Sequence, residues 1–245
     1  MMRSRNPILN KMAKADTYVD TNAATYKGIG IKTGTLLTTT LLSAAFAWLL
    51  LMGQNLEAVV TILSVSGIVA LISVMVASFV PRVAAPFSIL YTLAQGFTLG
   101  TLTYLVEVFY MGQGLSLMAV IITLIIFGVM LALYSSRTIR VTSTFRKVMF
   151  IGIISILLLS IVMMFIPTQY NIFANNPTMG IALSLFLIIY GAFMLVLNFN
   201  QAEMIVTHGV DKRYEWSVAL GLMITLIWIY IEVLRLLVLL LARRD

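Results

Sequence analysis

The chain has no cysteine, one histidine and few charges: lysine, arginine, aspartate and glutamate together make up 10% of its 245 residues. Each shortage removes a class of function. Without cysteine there is no disulfide framework, no thiol nucleophile and no thiolate metal site. With His208 as the only imidazole, the multi-histidine ligand sets of catalytic zinc are out of reach. A soluble domain carries roughly 25% charged residues, so this chain has too few to cover a water-facing surface. It also lacks a phosphate-binding Walker loop, a dinucleotide glycine pattern and a serine elbow, and its polar connections are too short to form a soluble catalytic domain. Neither an enzyme nor a bound cofactor is expected.

What fills the chain instead is hydrocarbon. Hydrophobic residues make up 61% of it, and the mean hydropathy is +1.03. A span needs about 20 largely apolar residues to cross a hydrocarbon layer ~30 Å thick. On that measure seven spans are expected, near Thr33–Met52, Ala58–Val80, Ala84–Val106, Leu115–Ser135, Val148–Ile166, Met179–His208 and Trp216–Leu241. Pro81, Pro86, Pro167 and Pro177 fall in junctions, where helices begin or end. Gly209 follows the sixth span and suits a left-handed C-terminal stop. The chain therefore divides into a basic N-terminal segment, residues 1–32, and an all-α transmembrane domain over 33–245. The N-terminal segment does not read as a signal peptide, because no short apolar run with a cleavage site follows its charges.

Thirteen of the sixteen lysines and arginines fall on one side of this layout. They lie in the N-terminal segment, at Arg82, at Arg137, Arg140, Arg146 and Lys147, and at Lys212 and Arg213. The alternate connections carry none. The positive-inside rule then places the N-terminus in the cytoplasm and, after seven crossings, the C-terminus outside, with Arg243 and Arg244 the exceptions. The net charge of +7 reflects this topology and the anionic lipid it faces. Spread over four segments without a recognition motif, it does not describe a nucleic-acid-binding surface. The expected partner is the lipid bilayer.

A few polar residues inside the spans carry the candidate chemistry. In the seventh, "LIWIYIEVLRLL" holds Glu232 and Arg235, three residues apart and hence on one helical face. Ionisable residues at such depth are expensive unless satisfied, and they often mark ion or proton pathways. The pair either neutralises itself and fixes the helix inside the bundle, or Glu232 lines a polar cavity. The sixth span ends in "LVLNFNQAEMIVTHG", whose Asn198, Asn200 and Glu203 offer oxygens and amide donors to a cation or to Glu232. Glu232 with Asn200 is the candidate cation-binding pair. In the third span, Gly96 and Gly100 form a GxxxG pair suited to close helix packing. Glu107, near the outer end of that span, is either a solvated helix end or an entry-site carboxylate.

Five segments taken in order carry a resemblance. They are "RNPILNKMA" at Arg5–Ala13, "ATYKGIGIKTG" at Ala24–Gly34, "QGFTLGTLTYLVEVFYMG" at Gln95–Gly112, "LYSSRTIRVTSTFRKV" at Leu133–Val148 and "YEWSVALGLMITLIWIYIEVLRLL" at Tyr214–Leu237. Together they resemble the bacterial branch of the Bax inhibitor-1 family, the YccA-like membrane proteins. The resemblance implies seven transmembrane helices, six around a central seventh, in a bacterial inner membrane. It also implies a pH-sensitive calcium leak, with Ca2+ as the permeant ion, controlled by an acid on the sixth helix facing one on the seventh and by an arginine that locks one of them. The seventh-helix acid falls on Glu232. The sixth-helix acid falls within "LNFNQAE", where this chain has Asn198 and Asn200. Two adjacent carboxylates share a proton and so sense pH, whereas an acid and an amide do not. An amide also removes a negative charge from a Ca2+ site. Conduction is then expected to be weaker, less pH-dependent, or rebuilt on Glu203. The resemblance also implies a second role, regulation of a membrane protein partner such as a quality-control protease. A proton-coupled transporter would need a substrate pocket for which the sequence gives no sign.

Overall fold

The computed structural model describes residues 23–110, 112–165 and 176–242. Seven long apolar helices lie among them: α1 Tyr26–Met52, α2 Leu56–Phe79, α3 Ala84–Phe109, α4 Leu115–Ser135, α5 Ser143–Phe165, α6 Pro177–Thr207 and α7 Tyr214–Ala242. Each is long and apolar enough to cross a bilayer. A 3-10 turn, Pro81–Val83, joins α2 to α3, and no strand occurs among the described residues. Helices meet the demand that hydrocarbon imposes, since every backbone N–H and C=O within them is bonded internally. The Arg5–Ala13 motif, the junction at Pro167, and Arg243 and Arg244 lie outside the described residues.

The helix ends explain where the observed boundaries depart from those expected. α1 begins at Tyr26, about two turns before Thr33, because the Thr25 hydroxyl accepts the Gly28 N–H at 3.0 Å and caps the helix. Residues 26–32, expected in the polar N-terminal segment, are therefore helical. α6 starts on Pro177, with the Asn176 side chain accepting from the Thr178 and Met179 N–H groups. It stops at Gly209, whose φ of +62° turns the chain so that the Val210 N–H reaches the Ile205 carbonyl at 2.9 Å.

α7 is the hub. It packs against α1, α3, α4 and α6, and touches α2. Val218, Ala219, Leu220, Met223, Ile229, Val233 and Leu234 are each at most 2% exposed. α5 packs on α6 alone, and its flank toward α7 borders a cavity. Leucine, isoleucine and valine cover the outer faces of α2, α4 and α5, as lipid-facing surfaces require. α1 and α3 meet backbone to backbone. A Cβ added at Gly96 would collide with the Thr40 carbonyl, and one at Gly100 with the Ala44 backbone. The Ser43 hydroxyl bridges the same contact, donating to the Leu93 carbonyl at 2.6 Å.

Candidate functional site

Glu232 lies on the inner side of α7 at 8% exposure, and its Oε2 has no hydrogen-bond partner. It borders a cavity of about 600 Å³ lined by α3, α5, α6 and α7. The other polar groups around this space are Tyr91 and Gln95 from α3, Ser160 from α5, and Arg235. Ser184 of α6 stands beside the carboxylate, and its buried hydroxyl also lacks a partner within bonding distance. Arg235 lines the same cavity but is exposed, and it forms no ion pair with Glu232. The self-neutralised pair read from the three-residue spacing is thus not formed. Both residues line the cavity without an ion pair between them. Buried polar atoms are nearly always bonded, so an unpartnered carboxylate oxygen on a residue that lines a cavity marks a candidate site.

The α6 amides do not join this cavity. Asn198 donates its Nδ2 to the Thr225 hydroxyl at 2.7 Å and to the Gly221 carbonyl at 3.2 Å, both on α7. Thr225 lies seven residues before Glu232, about 10 Å along the helix. Asn200 turns the other way. Successive helical residues are rotated by about 100°, so a two-residue step carries the side chain to nearly the opposite face. Its amide donates to the Tyr134 hydroxyl on α4 at 3.2 Å, and that hydroxyl donates to the Glu203 carboxylate. Asn200 also borders a separate cavity of about 390 Å³, with Arg146 and Gln201. Glu232 and Asn200, the expected cation pair, therefore face different spaces. Replacing Asn198 with Asp tests the mid-helix link. A carboxylate presents only acceptors to the Gly221 carbonyl, so Asn198→Asp should lower the thermal midpoint in detergent, by roughly 1–2 kcal/mol in stability.

Glu107, the candidate entry site, is engaged by its own loop. Its carboxylate accepts the Gly114 N–H at 3.1 Å and the Ser116 N–H at 2.9 Å, capping the start of α4. Gly114 itself sits at φ +70°.

Comparison with protein families matches the chain over residues 6–242 to the family described as Bax inhibitor 1 like. The chain belongs to the Bax inhibitor 1 like family. Comparison with curated proteins and with solved structures gives no match. Family membership and the seven-helix bundle with its central α7 agree with each other. In this Bax inhibitor 1 like chain, α7 carries Glu232, and α6 carries amides at positions 198 and 200.

One site in this Bax inhibitor 1 like bundle was not anticipated from the sequence. Glu215, in the first turn of α7, is wholly buried and pairs with Lys32 of α1 at 2.7 Å. The same carboxylate accepts the Thr25 backbone N–H at 2.7 Å. The Lys32 ammonium also donates to the Lys212 carbonyl at 3.1 Å and lies 5.3 Å from the Trp216 ring centroid. Gly28 makes room for this arrangement, since a Cβ there would overlap the carboxylate. The chain preceding α1 completes the contact: the Ala24 N–H donates to the Val210 carbonyl at 2.7 Å. The start of α1 and the start of the hub helix are thus clamped together. Lys32 counted only as a topology charge, and Glu215 fell outside the expected seventh span. The remaining signal was the glycine–lysine spacing in "KGIGIK".

Proposed function

We propose that the protein is a cation leak pathway of the Bax inhibitor type, with calcium as the permeant ion and Glu232 as the acidic group of its intramembrane site. The observation that carries this reading is the buried, unpartnered Glu232 carboxylate oxygen beside a cavity of about 600 Å³. Gln95 and Tyr91 of α3 and Ser160 of α5 supply further oxygens around the same cavity, the ligand type that Ca2+ takes. Among the described residues, Glu232 is the only acid that lines this cavity, so no second carboxylate shares its proton there. The leak should therefore respond to pH less steeply than a paired-carboxylate site. The positive-inside pattern supports a cytoplasmic N-terminus, and the resemblance of its motifs to the bacterial branch supports a bacterial inner membrane. In liposomes containing the full chain, Glu232→Gln should reduce calcium influx severalfold. Unchanged flux would remove Glu232 from the pathway.

A specific observation favours the other role, that of a non-conducting regulator of a membrane protein. Asn198 is engaged within the bundle, while Asn200 and Glu203 both bond Tyr134, so the polar groups of α6 do not extend the Glu232 cavity toward the other face. A regulator would contact its partner through the basic N-terminal segment or the 136–147 connection. Deleting residues 1–20 separates the two roles: partner capture is lost for a regulator, and calcium flux persists for a leak.

A further inference from the structure

Four cationic side chains converge at the face of the bundle that holds the start of α1, the Pro81–Val83 turn and the α6–α7 connection. Lys32, Arg82, Lys212 and Arg213 line a cavity of about 290 Å³ together with Asp211, Trp216, Pro81 and Ala85. The charges do not cancel within it. Lys32 is matched by Glu215 at 2.7 Å, and Arg213 stands 3.9 Å from Asp211. Arg82 and Lys212 are exposed and have no ion pair among the described residues. Among the described residues, two positive charges therefore line the space without a counter-charge.

The surroundings of the cavity indicate where that occupant comes from. Immediately before Pro81, Phe79 is 78% exposed and Val80 is 45% exposed, both at the end of a lipid-facing helix. Trp216 contributes an indole to the cavity wall, the side chain most suited to the boundary between headgroups and hydrocarbon. A basic cavity opening beside an apolar, lipid-facing surface fits an anionic molecule whose charged end enters while its tails remain in the bilayer.

We infer that this cavity binds the phosphate headgroup of an anionic phospholipid, with Arg82 and Lys212 as the groups that contact it. The site is distinct from the Glu232 cavity, and its occupancy does not depend on whether the protein conducts. Bound there, a lipid would sit against the Lys32–Glu215 clamp, and so against the junction of α1 with the hub helix.

The test is a lipid titration of the full chain, followed by native mass spectrometry, using phosphatidylglycerol against phosphatidylcholine. Wild-type protein should retain phosphatidylglycerol in preference. R82Q/K212Q removes both charge-assisted contacts to the phosphate and should weaken phosphatidylglycerol binding by roughly tenfold or more. Both residues are exposed and form no ion pair among the described residues, so the described fold does not rest on them. The matched variant R137Q/R140Q removes two exposed charges from another connection on the same face and should change binding less than twofold. Equal losses in the two variants would reduce the effect to general surface charge and overturn the site. Displacement of the lipid by millimolar inorganic phosphate would assign the cavity to a soluble anion, overturning its assignment to lipid.

Discussion

Glu215→Leu should destabilise the protein by about 3 kcal/mol, the loss associated with removing one partner of a buried ion pair. The effect is large because two deficits arise together. The Lys32 ammonium, 14% exposed, loses its counter-charge, and the Thr25 N–H that begins α1 loses its acceptor. Glu215→Gln should fall between the two, since the amide oxygen still accepts from Thr25 but carries no charge. The double replacement Lys32→Met with Glu215→Leu should be less damaging than the sum of the single changes, because an apolar pair leaves no uncompensated ion. Thermal denaturation in detergent, followed by tryptophan fluorescence, reads all three, Trp216 being adjacent to the pair. A Glu215→Leu midpoint indistinguishable from wild type would mean that the clamp contributes nothing to holding α1 on α7.

This clamp marks the limit of what the sequence reveals. The seven spans were legible because membrane thickness imposes a length that composition alone records, and the helix stop at Gly209 and the helix start at Pro177 were legible from local chemistry. The polar stretch of α6 also stood out, as amides are rare in hydrocarbon. Which neighbour each polar residue meets was not legible. Lys32 and Glu215 are 183 residues apart, and no periodicity connects them. Nor could apolar patterning identify α7 as central, since lipid and protein interior are both apolar and leave little contrast between helix faces. The same limit applies to Asn198 and Asn200. They are neighbours in sequence, yet one reaches α7 and the other α4, and only the packing of three helices decides this. Glu232 and Arg235 show the converse. A three-residue spacing allows contact without requiring it: both side chains line one cavity, and no ion pair joins them.

The largest loss of all is expected at Gly100. Gly100→Leu should abolish the monodisperse folded protein in detergent, because its Cβ alone would occupy the space of the Ala44 Cα, carbonyl carbon and oxygen. A rotamer change in a neighbour offers no relief, as the obstructing atoms belong to the α1 backbone, so α1 and α3 would have to separate. That would also break the bond from Ser43 to the Leu93 carbonyl and open the packing around Phe97, Ala47 and Leu51. Gly100→Ala imposes the first part of this collision and should cost about 1–3 kcal/mol, the range for inserting atoms into a packed core. Gly34→Ala supplies the contrast: a Cβ at position 34 meets nothing within 4 Å. There, the higher helix propensity of alanine should leave stability unchanged or raise it by up to about 1 kcal/mol. The two alanine variants differ only in whether another helix stands behind the glycine. Equal stability for both would show that the α1–α3 backbone contact does not determine how this bundle assembles.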